Sequence, residues 1–369
     1  MIIKKEVVIV GGGPAGLAAA IEAAKTGAET LVIDENAKAG GQLFKQIHKF
    51  FGSRAHNAGT RGINIAKRLL EEAENAGVEI WLNSAVIGLF KDKKLAVVRN
   101  GMPEKTTLIV EAKNILISTG ASENAINFPG WTLPGVMGAG AAQTMINLNR
   151  VLPGKRVLMI GSGNVGLIVT YQLLQAGCHV AGIVEAANKI GGYGVHAGKV
   201  SRAGVPFYLG HTIICAEGEN NQVNRAVIAR LDHDFKPIEG SEKEFDVDTV
   251  CIAAGLRPLT ELARMHDLRH EFIPELGGWM PLHDDNMEST SPGIYVAGDS
   301  AGVEEANAAM DEGRLAGVAI AQSLGYLKES NAEDLKAEIR SRLTALRQGS
   351  FGEKRLRAKE KIIQMGYAR

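Results

Sequence analysis

This sequence contains few cysteines and no excess of either charge. Three cysteines occur in 369 residues, and Cys178, Cys215 and Cys251 lie far apart, so neither a CxxC pair nor the spacing of a zinc site is present. We therefore expect buried, inert thiols and no metal site. Basic and acidic residues number 41 each, which removes any electrostatic reason to expect nucleic acid or an acidic membrane surface as a partner.

Long apolar segments and aromatic residues are also in short supply. The longest apolar runs are broken by glycine or polar residues well before the roughly 20 residues that a membrane helix needs. The N-terminus, MIIKKEVVIVGGGPAGL, enters a strand at once and leaves no room for a signal peptide. We expect a cytoplasmic protein that does not bind a membrane.

Glycine is abundant, at 44 residues, and two glycine-rich turns organise the chain. The first follows an apolar run over Glu6–Val10 and leads into a helix and a second apolar run over Thr30–Ile33. Much later the same order recurs between apolar runs over Arg156–Ile160 and His179–Val184. Strand, glycine turn, helix and strand open a doubly wound α/β fold, so the chain holds two copies of one dinucleotide-binding unit.

The first turn has the spacing of a dinucleotide-binding motif in Gly11, Gly13 and Gly16. The first glycine permits the tight turn, the second lets backbone amides approach a pyrophosphate, and the third allows close helix–strand packing. The following helix begins at Pro14 and Ala15 and directs its positive end at the phosphates. These five residues are predicted to bind a dinucleotide.

The second turn repeats that spacing in Gly161, Gly163 and Gly166, with Asn164 and Val165 at the start of its helix. The same physical argument predicts a second dinucleotide site there. A duplicated domain can also keep its fold while it binds another adenine nucleotide or none, and this alternative stays open.

An acidic residue ends the second strand of each unit, Asp34 in the first and Glu185 in the second. In this position a carboxylate can accept hydrogen bonds from a ribose. An acid at the second site favours the free 2′-hydroxyl of NAD(H) over the 2′-phosphate of NADP(H), and no arginine follows closely. We predict NAD(H) for the second unit.

The two turns, together with STGAS, AAGLRP and GIYVAGDSAG, resemble the FAD/NAD(P)-binding flavoproteins of the pyridine nucleotide–disulfide oxidoreductase superfamily. The resemblance implies two Rossmann-like domains of three-layer ββα architecture, with the NAD domain inserted into a split FAD domain as in low-molecular-weight thioredoxin reductases. It implies an FAD domain over residues 1–122 and 257–328, an NAD(P) domain over 123–256, and a charged helical C-terminal tail over 329–369.

The same resemblance assigns residues to the FAD site. AGGQL would place Gln42 along the flavin, and the pair Gly298 and Asp299 would return to hold the ribityl chain. Residues Glu305–Asn307 would begin the helix whose N-terminus stabilises the reduced flavin. The other FAD-binding residues that the resemblance implies are Glu35, Gly41, Val86, Thr119, Gly120, Glu305 and Ala306. On the NAD side it adds Gly255.

Three further segments, GGQLFKQIHKFFGS, FPGWTLPGVMGAGAAQ and GGYGVHAGKVSRAGVPFYLGHTI, carry a narrower resemblance. They are similar to the FAD/NAD-binding subunits of heteromeric amine and amino-acid dehydrogenases, a group that includes opine oxidase, hydroxyproline and proline dehydrogenases, sarcosine oxidase and hydrogen cyanide synthase. The disulfide reductases of the superfamily carry a CxxC that is missing here, so we expect no disulfide reduction. Because no cysteine follows Cys251, a [2Fe–2S] cluster would have to come from a separate small protein.

These features predict an FAD-dependent oxidoreductase that passes electrons between NAD(H) and a partner redox centre, as a subunit of an amine or amino-acid dehydrogenase complex. The expected assembly is a hetero-oligomer with a separate dehydrogenase subunit, and a small [2Fe–2S] protein is a candidate second partner. Two alternatives remain: a stand-alone NADH-dependent flavoprotein reductase of a small molecule, and a structural or regulatory adenine-nucleotide-binding subunit.

No protein nucleophile or acid–base pair is required, because the flavin carries the hydride chemistry. His48 and His56 are weak candidates for positioning a substrate or relaying a proton, and surface histidines are the equal alternative. Tyr193 and His196 are expected near the nicotinamide side of the second unit. Residues 328–369 carry eleven Lys or Arg against six Asp or Glu, and are expected to be a solvated face or a partner dock that FAD binding does not need.

Overall fold

The computed structural model describes residues 2–100, 106–219, 221–349 and 352–367. The chain divides into two compact units. The first unit consists of residues 1–122 and 257–369, and the second of residues 123–256. Within the described ranges, no helix is both long enough and apolar enough to span a bilayer.

The strands are β1 (Ile2–Val10), β2 (Thr30–Ile33), β3 (Glu79–Trp81), β4 (Ser84–Leu89), β5 (Lys94–Arg99), β6 (Thr106–Ile117), β7 (Ala121–Glu123), β8 (Val136–Gly138), β9 (Arg156–Ile160), β10 (His179–Glu185), β11 (Phe207–Leu209), β12 (His211–Glu219), β13 (Gln222–Arg230), β14 (Lys243–Asp246), β15 (Thr249–Ile252), β16 (Leu256–Pro258), β17 (His270–Ile273), β18 (Gly278–Pro281) and β19 (Ile294–Val296). The α-helices are α1 (Pro14–Lys25), α2 (Gly62–Asn75), α3 (Ala139–Thr144), α4 (Asn164–Gln175), α5 (Gly194–Arg202), α6 (Glu261–Met265), α7 (Ala306–Ser323), α8 (Glu329–Leu346) and α9 (Glu353–Tyr367).

The first unit is built on a sheet in the order β3-β2-β1-β6-β5-β4, with β19 also pairing with β6. The pairs β1–β2, β1–β6, β2–β3 and β6–β19 are parallel, whereas β4, β5 and the first half of β6 pair antiparallel. The core strands β1 and β2 are apolar and buried over Val7–Val10 and Thr30–Ile33, as expected of parallel strands covered on both faces. The mixed α/β fold with parallel sheets therefore has the predicted class.

The short alternating runs between residues 79 and 111 predict an antiparallel meander, and the continuous apolar run Asn114–Ser118 predicts a separate buried strand. The structure differs in two details. The run at Glu79–Trp81 pairs parallel with β2 and extends the main sheet, so it is not part of an antiparallel meander. The runs predicted at Thr106–Glu111 and Asn114–Ser118 form one long strand, β6. Strand β1 pairs with β6 along one edge, from Ile109 to Ile117. Along the other edge β5 pairs with Thr106–Glu111 and β19 with Ile115–Ile117, because a strand can change partners along its length without losing its backbone hydrogen bonds.

Helices α1 and α7 lie against each other at very short range. A Cβ atom added at Gly313 would lie 2.0 Å from the Ala15 carbonyl oxygen, and one at Gly317 would lie 2.5 Å from the Ala19 carbonyl oxygen. Glycine is therefore required at both positions for this packing. The close contact fixes the start of α7 relative to the turn that precedes α1.

The second unit has its own parallel sheet, in the order β11-β10-β9-β15-β8. An antiparallel sheet, β12-β13-β14, packs through Ile213, Ala226 and Ile228 against buried residues of β9 and β15. Helices α3, α4 and α5 contribute to a separate apolar cluster on the other side of these strands. A parallel sheet between helices and a second sheet forms a three-layer unit.

The C-terminal helices α8 and α9 belong to the first unit. Ala332, Ile339 and Leu343 of α8 are buried in its main core. In α9, Ala358 and Ile362 are buried in a smaller cluster with residues of β17 and β18. The expected solvated face is therefore one side of each helix, and the opposite side buries apolar residues and several charged groups in the first unit. This burial speaks against the prediction that FAD binding does not need the segment.

Candidate cofactor sites

The first glycine turn follows β1 and leads into α1. Gly11 has a φ of 105°, and a Cβ atom there would lie 2.4 Å from the Ser118 carbonyl oxygen. A Cβ atom at Gly16 would lie 1.9 Å from the Gly11 carbonyl oxygen, so these two positions are closed to other residues. At Gly13, in contrast, the nearest atom to such a Cβ is the Gly41 Cα at 4.0 Å. The turn is therefore packed on one side and open on the other.

The open side of this turn is where α1 begins. Gly13 precedes the helix, Pro14 is its first residue, and Ala15, the second helical residue, is buried. Among the described residues, no side chain caps the first amides of α1. Uncapped amides at a helix N-terminus, beside a glycine with no atom closer than 4.0 Å to its Cβ position among the described residues, form a cradle that suits a pyrophosphate.

Asp34, at the end of β2, is buried and holds the turn. Its Oδ2 accepts a hydrogen bond of 2.7 Å from the Gly12 amide, and its Oδ1 accepts one of 2.8 Å from the Asn36 amide. A carboxylate oxygen has a second lone pair, so Asp34 can still accept from a ribose. Glu35 is exposed beside it.

A loop covers the outer edge of the same turn. The Gly40 amide donates to the Gly12 carbonyl at 2.6 Å, and a Cβ atom at Gly41 would lie 2.9 Å from the Gly13 Cα. Gln42 follows in the 3₁₀ turn Gly41–Lys45 and is exposed. The predicted residues Gly41 and Gln42 are therefore brought next to the first turn by backbone contact.

Two segments from later in the chain end at the same edge of the sheet, because Val10 pairs with Ile117 of β6 and Ile117 pairs with Val296 of β19. Beyond β6, the Thr119 hydroxyl donates to the Leu259 carbonyl at 2.9 Å. Gly120 has a φ of 80°, and a Cβ atom there would meet nothing within 4 Å among the described residues.

Beyond β19, the amide of Gly298, whose φ is 71°, donates to Glu312 Oε2 at 3.0 Å. Carboxyl ends of parallel strands are where dinucleotides bind in such sheets. Val86 lies on β4, where it packs half-buried against the core.

Asp299 is the most perturbed acid of this edge. Burial raises the pKa of its carboxyl to about 7, although the Glu304 amide, which donates to Asp299 Oδ1 at 3.4 Å, acts in the opposite direction. Helix α7 then begins at Ala306, after the exposed residue Glu305. Asn307 Oδ1 accepts a bond of 3.3 Å from the Asn57 amide group, which ties the loop containing His56 to this helix.

His48 and His56 differ from the surface histidines that were the equal alternative. His56 is 9% exposed, and its Nδ1 lies 2.9 Å from the Ser53 hydroxyl. His48 is half-buried and stacks on Phe50 with ring centroids 5.8 Å apart. The interpretation of His56 as a surface group was wrong, because its loop packs back onto the unit.

The second glycine turn has the backbone of the first. Gly161 has a φ of 106°, a Cβ atom there would lie 2.3 Å from the Ala253 carbonyl oxygen, and one at Gly166 would lie 2.2 Å from the Gly161 carbonyl oxygen. At Gly163 a Cβ would meet nothing within 4 Å among the described residues. Gly255, with a φ of 90°, is exposed after the neighbouring strand β15. The glycine turn of the second unit is thus also packed on one side and open on the other.

The acid of the second unit also reaches back to its turn. Glu185 Oε2 accepts from the Ser162 amide at 3.0 Å and from the Ser162 hydroxyl at 2.6 Å, and Oε1 accepts from the Ala187 amide at 3.0 Å. Ser162 Oγ in turn accepts from the Gly191 amide at 2.9 Å. The serine hydroxyl, which the sequence argument did not single out, connects the acid to the covering loop.

The remaining predicted residues of the second unit lie around the start of α4. Asn164 Oδ1 accepts from the Tyr193 amide at 2.8 Å, and Val165 is exposed. His196 is buried, and this burial, with a smaller effect from Lys199, lowers its pKa to about 4. The imidazole of His196 is therefore a neutral interior group at physiological pH.

The three cysteine thiols differ in burial but all have a raised pKa. Cys178 and Cys251 are buried, and burial raises the pKa of both, to about 12 for Cys251. Cys215 is half-buried, and burial together with Glu217 raises its pKa. A thiolate is the reactive form of cysteine, so all three are poor nucleophiles.

A cluster of buried charges, Glu304, Glu312, Arg347 and Lys359, lies behind the Gly298–Asp299 segment and was not predicted. Glu312 Oε1 accepts from Arg347 and from Lys359, each at 2.6 Å. Arg347 also donates to Glu304 Oε2 at 2.5 Å. A single sequence shows these residues only as charges, and nothing in their spacing distinguishes them from a solvated face.

A chain with two glycine-turn units, each with an acid bonded to its turn, has the architecture of two-dinucleotide oxidoreductases. The sequence profile of the family described as pyridine nucleotide-disulphide oxidoreductase matches residues 5–313, and the chain belongs to this family. FAD and NAD(P) are the cofactors of the family, and the chain is an oxidoreductase.

Two curated relatives and two solved structures illustrate the similarity. The chain is 30% identical to the hydrogen cyanide synthase protein HcnB of Pseudomonas aeruginosa, over 94% of this chain and 77% of that protein. It is 29% identical to one of the opine oxidase subunits of Agrobacterium tumefaciens, over 91% and 69% of the two chains. Both relatives are named as subunits of larger enzymes.

The structures of L-proline dehydrogenase from P. horikoshii and thioredoxin reductase from T. acidophilum share the fold. The first superposes with a TM-score of 0.68 at 22% identity and covers 92% of this chain and 60% of the other. The second superposes with a TM-score of 0.69 at 21% identity and covers 87% and 99% of the two chains. The thioredoxin-reductase-like layout expected from the sequence is confirmed.

Proposed function

We propose that this chain is the FAD- and NAD(H)-binding subunit of an amine or amino-acid dehydrogenase complex, and that it passes electrons between NAD(H) and a redox centre on a partner. The observation that carries the proposal is the duplication of an open glycine turn with a bonded acid in one chain. The similarity to HcnB and to the opine oxidase protein, both named as subunits, supports a place in a larger complex.

In the first unit the cofactor would be FAD. The amides after Gly13 would hold its pyrophosphate, Asp34 its adenosine ribose, and Asp299 its ribityl chain. Val86, Thr119 and Gly120, together with Glu35, Gly41, Gln42, Glu305 and Ala306, complete the proposed contacts. Bound FAD would supply hydride and electron transfer, while the protein orients it and excludes water.

In the second unit Glu185 would face the adenosine ribose of NAD(H). Its charge favours a hydroxyl and repels a 2′-phosphate. Ser162 holds this carboxylate beside the turn, so its position does not depend on the ligand. The other proposed contacts are Gly161, Gly163, Asn164, Val165, Gly166 and Gly255.

Electrons that reach the flavin need an exit other than a dithiol of this chain. All three cysteines have a raised pKa and two of them are buried, which speaks against disulfide reduction. We therefore assign the exit to a separate dehydrogenase subunit, with a small [2Fe–2S] protein as a candidate second partner. Unpaired cysteines suit a reducing compartment, and we place the complex in the cytoplasm.

The test of the nucleotide site is anaerobic reduction of the FAD-loaded chain by NADH and by NADPH. We expect NADH to bleach the flavin absorbance faster than NADPH does. Glu185→Gln should reduce this preference for NADH over NADPH, because the charge that repels the 2′-phosphate is lost. The matched control is Glu217→Gln, an exposed acid of the same unit. Equal reduction of the wild type by both nucleotides would contradict the assignment, and no reduction by either would favour a structural nucleotide site.

The test of the subunit role is turnover. We expect the purified single chain to show no oxidation of amines or amino acids with NAD as the only acceptor, and activity to appear when the partner that co-purifies with the native protein is added. Full turnover by the single chain would contradict the subunit role and favour a stand-alone reductase.

A further inference from the structure

Helices α8 and α9 lie beyond residue 313, where the family match ends, yet they place two cations inside the first unit. The side chains of Arg347 and Lys359 are 9% and 1% exposed. Burial alone would lower the pKa of Arg347, but the carboxylates of Glu304 and Glu312 raise it above its ordinary value. Arg347 is therefore held as a buried, paired charge, and the buried Lys359 Nζ lies 2.6 Å from Glu312 Oε1.

The partners of these cations are joined to the segment proposed to hold the FAD ribityl chain. Glu312 binds both cations through Oε1, and its Oε2 accepts from the Gly298 amide at 3.0 Å. Lys359 Nζ also donates to the Ala301 carbonyl at 3.0 Å. The two ends of the turn Gly298–Ala301 are thus fixed from behind by one carboxylate and one ammonium group.

A second link runs to the start of α7. Arg347 donates to both oxygens of Glu304, at 3.0 Å from Nε to Oε1 and 2.5 Å from Nη2 to Oε2. The backbone amide of Glu304 donates to Asp299. A bidentate arginine fixes the orientation of a carboxylate as well as its position, so the residue that precedes the cap of α7 is held in place.

An unpaired buried carboxylate is costly, so each acid depends on its cation to stay in the interior. Without Lys359 and Arg347, Glu312 would be driven towards water, and the Gly298 amide would lose its acceptor. The geometry of the turn would then change even though neither cation is placed in contact with FAD.

We propose that Arg347 and Lys359 are positioning residues of the FAD site, which hold the Gly298–Ala301 turn and the start of α7 through Glu312 and Glu304. Helices α8 and α9 are then part of the cofactor site. The inference rests on the proposed function, since it takes the first unit to bind FAD.

The experiment compares Lys359→Met with Lys336→Met, measuring FAD dissociation constants by flavin fluorescence and unfolding midpoints of the apoprotein. Lys336 is a matched control, because its buried Nζ on α8 donates to Gln322 Oε1 at 2.7 Å and pairs with Glu333, and neither partner belongs to the FAD segment. We expect Lys359→Met to weaken FAD binding by about tenfold or more, and Lys336→Met to lower the unfolding midpoint with unchanged FAD affinity. Unchanged FAD affinity in Lys359→Met would overturn the inference.

A conservative pair separates positioning from stability. Arg347→Lys keeps the charge but loses the bidentate geometry, so we expect it to weaken FAD binding, and Arg347→Met to weaken it more. Wild-type FAD affinity in Arg347→Met would overturn the role of Arg347. If Lys359→Met fails to fold, the double variant Lys359→Met with Glu312→Gln removes the unpaired charge, and wild-type FAD affinity in it would overturn the inference. A wild-type chain that takes up no FAD would overturn both proposals.

Discussion

The two glycine turns share one backbone but fasten their acids in different ways. In the first unit a Cβ atom at Gly12 would lie 3.0 Å from both Asp34 Oδ2 and Ala39 Cβ, so a side chain there would fit only if these two side chains moved by a few tenths of an ångström. In the second unit the longer acid, Glu185, leaves room for Ser162, whose hydroxyl donates to it at 2.6 Å. The turn residue and the acid therefore form a different pair in each unit.

The units also differ in what surrounds the turn. In the first, the segment after β19 returns to the same edge, and buried charges from α8 and α9 fix it. The described part of the second unit contains no equivalent returning segment with buried ion pairs. A site whose backbone is held by buried ion pairs suits a cofactor that stays bound. A site without such ion pairs suits a nucleotide that exchanges.

The largest effects should come from the glycines that open each turn. Gly11→Ala should abolish FAD binding, because the left-handed backbone costs about 1–3 kcal/mol and the added Cβ meets the Ser118 carbonyl at 2.4 Å. Gly161→Ala should keep FAD and lose reduction by NADH. Flavin absorbance after purification, followed by anaerobic NADH titration, measures both. Loss of flavin in Gly161→Ala would show that the two sites are not independent.

Asp299 belongs to the first unit, so its removal should affect one site only. Asp299→Ala should weaken FAD binding by roughly tenfold to a hundredfold, since a charge-assisted hydrogen bond contributes about 1.5–3 kcal/mol. Fluorescence titration of the apoprotein measures this. Asp234→Ala, at an exposed acid of the second unit, is the control and should bind FAD like the wild type.

The raised pKa of Asp299, about 7, gives the first site a pH dependence. Burial is the main cause; Glu312 and Glu305 add to it, and Lys359 opposes it. The folded apoprotein keeps a proton that the unfolded chain releases near pH 4, so this group makes the apoprotein less stable as pH rises from about 4 to 7. A ribityl hydroxyl that donates to the carboxylate favours its ionised form.

FAD affinity should therefore increase with pH up to about 7, by at most about tenfold per unit, and level off above it. Dissociation constants measured between pH 5.5 and 8.5 test the slope. Asp299→Asn cannot titrate and should remove it. A slope that persists in Asp299→Asn would assign the dependence to another group.

The smallest effect should come from Ser162→Ala. The change removes the hydroxyl contacts with Glu185 and with the Gly191 amide but keeps the backbone bond to the carboxylate. We expect about fivefold weaker NADH binding, since a net hydrogen bond contributes about 1 kcal/mol, and unchanged FAD content. NADH dependence of the flavin reduction rate measures it, and an unchanged dependence would show that the turn alone positions Glu185.

Short-range features were predictable with good accuracy. Strands β2 and β9 have the bounds that their apolar runs predicted, and both glycine turns lie between strand and helix. A strand or a glycine turn depends on only a few neighbouring residues. The positive φ angles at Gly11 and Gly161 belong to the local backbone and favour glycine there. The long strand β6 was predicted as two separate strands, because pairing with different partners leaves no mark in its own residues.

By itself, therefore, the sequence determined the two turns, their acids and the class of fold, since strand periodicity and glycine spacing act over a few residues. Only the tertiary structure decided that Ser162 bonds to Glu185 and that α8 and α9 bury their cations. The partners Glu312 and Arg347 are 35 residues apart, and Glu312 and Lys359 are 47 apart. A lysine or arginine in a sequence is equally suited to water or to a buried carboxylate, and packing of distant helices decides between them.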